Sequence, residues 1–147
     1  MPLLIAFIAA AAGVLNTVQA GANTTLSRAL GQPILAAFVV TGANAAVYLL
    51  AVPFVGLAWP GTARVAGVPW WAWAGGAMGG VYVLAMIFRA ERLGAAVFTG
   101  ITVTAAILTS TLLDHHGWLG FAQQAAGTGR ILGCLLMVGG LVLVSIF

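Results

Sequence analysis

At 147 residues the chain has the length of one soluble domain, but 63% apolar and 5% charged residues with a mean hydropathy of +1.14 exclude that class. This is the composition of a membrane protein. The charges, Arg28, Arg64, Arg89, Glu91, Arg92, Asp114 and Arg130, include no lysine and no basic run, so the net +3 and the pI near 10.0 mark no nucleic-acid face.

A helix needs about 20 apolar residues to cross a hydrocarbon layer of ~30 Å. The charge-free stretches 1–27, 29–63, 65–88, 93–113 and 131–147 therefore predict five spans. The first covers residues 3–23 and is read as retained, because Met1-Pro2-Leu3-Leu4 lacks a basic leader, although Val18-Gln19-Ala20 loosely imitates a cleavage site. It is expected to end at Asn23-Thr24-Thr25, before a loop carrying Arg28. Pro33 then opens the second span, 33–56, where its missing N–H does no harm. Pro53 is placed to kink the end of this span, and Trp59-Pro60-Gly61 to terminate it with a ring near one headgroup level.

Pro69 precedes the third span, 70–88, whose first turn carries an interfacial belt of Trp70, Trp71 and Trp73. Arg89-Ala90-Glu91-Arg92 is then read as a tight loop between antiparallel helices, and the fourth span, 94–113, is closed by Asp114-His115-His116-Gly117. Residues 117–129 form the one extended semi-polar stretch. Arg130 introduces the fifth span, 131–147. The chain is thus expected to be a single transmembrane domain, 1–147, with connections too short for an extramembrane catalytic or sensory domain.

Basic residues favour the cytoplasmic side. Arg64, Arg130 and the terminal amine fall on one side, and Arg28, Arg89 and Arg92 on the other. So small a bias fits a chain inserted in both orientations; a fixed orientation set by Arg89 with Arg92 fits it equally.

Burying an unpaired amide costs a few kcal/mol, so the polar residues of the spans call for a reason. Asn16, Gln19 and Asn23 lie at i, i+3 and i+7, within an arc of about 60° on the first helix. The second helix repeats the spacing with Thr41, Asn44 and Tyr48. On the fourth, Thr99, Thr102 and Thr109 share a face with Ala106, beside Ser110. Two readings stay open: these stripes line one polar cavity, or they join helices by interhelical hydrogen bonds at about 0.6 kcal/mol each.

On the third helix Gly75 and Gly79 share an arc with Trp71, Tyr82 and Met86, and Gly76 with Gly80 repeats the spacing beside it. The fifth helix carries Gly129, Gly133, Met137 and Gly140. Missing side chains let helices approach closely, so Gly75, Gly76, Gly79, Gly80, Gly133 and Gly140 are assigned to helix packing.

No ionisable side chain falls inside a predicted span, which disfavours proton coupling through a midplane acid. Asp114, His115 and His116 read as a water boundary rather than a metal site: adjacent histidines on a helix end point apart, and no further His or Cys ligand lies nearby. The lone Cys134 permits no disulfide within the chain and is read as a packing residue. Hydrolase and P-loop motifs are missing, so the chain is not expected to be an enzyme, and neither metal nor cofactor is expected.

The pattern resembles the YdcZ-like family of five-helix membrane proteins of the drug/metabolite transporter superfamily, along almost the whole chain. The likeness rests on Gln19 followed by Asn23, on Pro33 with Gly42, and on Trp70-Trp71-Ala72-Trp73-Ala74-Gly75-Gly76. It continues in Leu93-Gly94-Ala95-Ala96, Ser110, Asp114-His115, Gly117, Arg130, Gly133 and Gly139-Gly140. One departure is the middle of the fourth helix, where the family pattern has a Gly-Gln pair and this chain has Ala105-Ala106; if that Gln contacts substrate, the chain is expected either to recognise a different one or to work beside a second, nonidentical subunit that supplies the amide.

The resemblance implies an all-α, multi-pass protein of the bacterial cytoplasmic (inner) membrane whose five helices form half of an inverted-repeat, ten-helix transporter. A second five-helix subunit, identical or homologous, would complete it as an antiparallel dimer of dual topology. The function expected is secondary export, by alternating access, of a small neutral or weakly polar, amphipathic metabolite; a cation held over Trp71 or Tyr82 is the other substrate reading. Asn16, Gln19, Asn23, Thr41, Asn44, Tyr48, Trp71, Tyr82, Thr99, Thr102 and Thr109 are the candidate substrate pathway. A non-transporting assembly subunit and a passive channel are the alternatives.

Overall fold

The structure, a computed structural model, describes residues 2–58 and 60–147, with the side chains of Pro2 and Glu91 left aside. Trp59 and the terminal amine of Met1, both used in the sequence reading, lie outside the described residues. Five long helices dominate: α1 (Pro2–Leu30), α2 (Pro33–Val55), α4 (Trp70–Leu93), α5 (Ala95–His116) and α6 (Thr128–Ile146). Between α2 and α4 lies the short α3 (Thr62–Ala66), and a single 3₁₀ turn, Trp118–Gly120, follows α5. All five long helices are long and apolar enough to cross a membrane.

Two helix ends correct the sequence reading. α1 does not stop near residue 23 but runs on to Leu30, so its 29 residues reach ~43 Å at 1.5 Å each. The threonines expected to break it serve it instead: Thr24 donates to the Ala20 carbonyl and Thr25 to the Gly21 carbonyl, each at 2.9 Å. The chain turns only at Gly31, where φ is +63°, before Pro33 restarts a helix. Likewise residues 89–92 are the last full turn of α4, not a loop. Ala, Glu and Arg are strong helix formers, and the break falls on Gly94, where φ is +81°. Arg28 and Arg92 thus stand in the last turns of helices, where long basic side chains reach the interface and complement the helix dipole.

The chain forms two compact units, residues 1–92 and 93–147. In the first, α1 and α2 pack against each other across the two-residue connection Gly31-Gln32. In the second, α5 packs against α6. Their close approach is at Gly100, where an added Cβ would lie 2.8 Å from Leu141 Cδ1. The glycines assigned to packing are different: at Gly75, Gly76, Gly79, Gly80, Gly133 and Gly140 an added Cβ would meet nothing within 4 Å. Among the described residues, no atom of another helix comes within that distance of those positions.

The semi-polar stretch after α5 is tied down by hydrogen bonds. Gln124 N–H donates to the Asp114 carbonyl at 2.7 Å, Ala126 N–H to His115 Nδ1 at 3.1 Å, and Gln123 Nε2 to the His115 carbonyl at 3.2 Å. Arg130 donates to Gln124 Oε1 and stands 3.6 Å from the Asp114 carboxylate. His116 stacks on Trp118 with centroids 4.6 Å apart. The turn depends on Gly117, which is left-handed at φ +66° and has Gln123 Cβ 3.2 Å from where its own Cβ would be. Gly117→Ala is expected to cost about 1–2 kcal/mol, read as a lowered melting temperature of the purified protein in detergent.

Candidate functional site

The first unit holds a cleft of about 440 Å³ between α1, α2 and α4, within the range of small-molecule sites. α1 contributes Gln19; α2 contributes Thr41, Asn44 and Tyr48; α4 contributes Tyr82. Helical spacing explains the convergence: residues 41, 44 and 48 repeat at i, i+3 and i+7, so the second stripe shares one face. Opposite it, α4 presents Gly76, Gly79 and Gly80, then Val83 and Met86. The absence of side chains at the glycines makes the room. The arc of Gly79, Tyr82 and Met86, read from the sequence as a packing face, lines a cleft wall within the chain.

The electrostatics are simple. Among the described residues, no Asp, Glu, Lys, Arg or His side chain lines the cleft. Gln19 and Asn44 are half-buried, and among the described residues neither side chain makes a hydrogen bond to protein. Within the described residues they therefore join no two helices. These amides instead leave donors and acceptors free at the surface of a cavity.

Other candidates fall elsewhere. Asn16 and Trp71 are exposed and do not line the cleft. Asn23 is buried, at 6% exposure, with its Nδ2 lacking a partner, a state that costs on the order of 1–3 kcal/mol. Thr99, Thr102 and Thr109 belong to the second unit. There Thr102 donates to the carbonyls of Phe98 and Thr99 at 3.1 and 3.0 Å, so its proton is engaged within its own helix. Ala105 and Ala106 are both exposed at mid-helix.

The second unit offers a groove of about 420 Å³ between α5 and α6, walled by Leu108, Leu112, Ile131, Leu135 and Val138. Its polar groups are engaged in structure: Thr111 donates to the Ile107 carbonyl at 2.8 Å, and His115 Nδ1 holds Ala126 N–H. Such an apolar surface suits lipid, and it lacks the unbonded amides of the first cleft. Among the described residues no three His, Cys, Asp or Glu converge as metal ligands.

With this geometry in place, comparison with known proteins decides the family. Residues 4–143 match the family described as "Putative inner membrane exporter, YdcZ". The chain belongs to that family. It is a multi-pass protein of the inner membrane and, at the level the family describes, a membrane exporter. No curated protein and no solved structure matches the chain.

Proposed function

We propose that the cleft between α1, α2 and α4 is the solute path of a secondary exporter for small neutral, weakly polar or amphipathic metabolites. One observation carries the reading: the amides of Gln19 and Asn44, unbonded to protein, face a cavity with no charged side chain among the described residues of its wall. A charged solute would enter this site at a large desolvation cost and find no counter-charge. An uncharged one with a carbonyl or hydroxyl oxygen meets donors, acceptors and the two tyrosine faces.

The functional form proposed is an antiparallel dimer with a second five-helix subunit, identical or related, whose rocking alternates access to the cleft. Two features support it. The glycine face of α6 has open space beside it and admits a closely approaching helix from outside the chain. The arginines divide nearly evenly between the two sides expected for the connections.

The test is uptake into proteoliposomes holding the purified chain, against a panel of uncharged and charged amphipathic solutes of matched size. Saturable uptake confined to uncharged members is the expected result. Uptake of charged members alone would contradict it.

A further inference from the structure

The cleft does not end at Thr41. A groove of about 240 Å³ continues it along α2 and α4, and Thr41, Gly80 and Val83 are wall to both. Past these three the lining changes character. α2 contributes Ile34, Ala37 and Phe38, and α4 contributes Leu84. Thr41 is the groove's one polar side chain among the described residues. On α2 the combined wall is a single stripe, because Ile34, Ala37, Thr41, Asn44 and Tyr48 step by three or four residues and so keep to one helix face. One continuous surface therefore carries hydrogen-bonding groups at one end and hydrocarbon at the other.

Its length limits what fits. Residues 34–41 advance ~10 Å along the helix axis at 1.5 Å each, and an extended chain advances ~1.2 Å per bond, so about eight carbons fill the groove. A tail held in the watery cleft would weaken binding about fourfold per methylene. Laid in the groove, it stays among apolar side chains. A hydrocarbon without a head gains nothing there, since lipid is equally apolar. The surface thus favours a molecule that has both parts.

We infer that cleft and groove form one two-part site for single-tailed amphiphiles. The uncharged head hydrogen-bonds among Gln19, Asn44, Tyr48 and Tyr82. The tail, of about eight carbons, lies over Ala37 and Phe38 and points toward Pro33, at the α1–α2 connection. The inference rests on the cleft being the solute path, and it assigns the groove to the tail of the same solute because the two cavities share a wall.

The experiment locates both parts in proteoliposomes holding the purified chain. A butanamide bearing a diazirine reports the cleft, and a nonanamide with the diazirine at its tail end reports the groove. Insertion sites are read by mass spectrometry, with and without excess unlabelled nonanamide, or nonane at the same mole fraction in the membrane. The short probe is expected within residues 41–48 and the tail probe within 34–38 or 80–84, both displaced by nonanamide and neither by nonane. Asn44→Leu is expected to cut displaceable labelling by the tail probe at least fivefold. Filling the groove is expected to lower the ratio of tail-probe to short-probe labelling, at least tenfold with Ala37→Phe and threefold with the milder Ala37→Val. Groove labelling that nonanamide does not displace, or that survives Asn44→Leu, would make membrane lipid the occupant and overturn the two-part site. Tail-probe insertion elsewhere, with the short probe still at 41–48, would overturn it and leave the cleft standing; a second copy of the chain seated on the groove would give that result. No displaceable labelling at 41–48 would remove the cleft itself, and the two-part site with it.

Discussion

Asn44→Leu is expected to lower solute transport at least tenfold while the chain inserts in the membrane and elutes in detergent as the unaltered protein does. Asn44 lines the cleft, is half-buried and bonds to no neighbouring helix, so its removal leaves no protein group unpaired. What it removes is a donor and an acceptor offered to the solute. One hydrogen bond of about 1.4 kcal/mol is a factor of ten in affinity or rate, and leucine also narrows and dries the site. Gln19→Leu is expected to behave alike. Asn16→Leu, on the same helical stripe but exposed and outside the cleft, is expected to change transport less than twofold. Loss of assembly in the Asn44 and Gln19 variants would instead favour amides that join subunits.

The second large effect concerns orientation. In cells producing this chain alone, single cysteines replacing Gln32 and Thr62, on a Cys134→Ala background, are expected to be labelled from both faces of the membrane, each to about half. These positions bracket α2 and are exposed, so in any one molecule they fall on opposite sides. Neither is an arginine, so the charge balance that sets orientation is untouched. Labelling of each position from one face only would sink the pair of identical chains. An antiparallel assembly would then require a related second subunit.

The five helices were legible because charge is so scarce that every Arg and Asp brackets a span. Their ends were less so. Thr24 and Thr25 look like turn formers in a sequence, and only the hydrogen bonds to Ala20 and Gly21 show them continuing α1. The five-residue α3 is too short for any periodicity to announce it. Of the site, the stripe of Thr41, Asn44 and Tyr48 and the position of Gln19 were readable from spacing. The glycines of α4 were read as a packing face, and the room beside them depends on where other helices lie, which spacing does not carry. Nor does it tell Asn16 from Asn23: the two share a stripe, yet one is exposed and the other buried without a partner. The hydrogen bonds that hold residues 123–126 to the end of α5 left no signal beyond a run of polar composition.

The central claim is that the cleft holds water, and hence solute, rather than lipid. A nitroxide attached at position 44 in proteoliposomes tests it through collisions with a water-soluble nickel chelate and with oxygen, using position 49, a leucine on the same helix that is 71% exposed and does not line the cleft, as reference. The account predicts that the chelate dominates at 44 and oxygen at 49; oxygen dominating at both would contradict it.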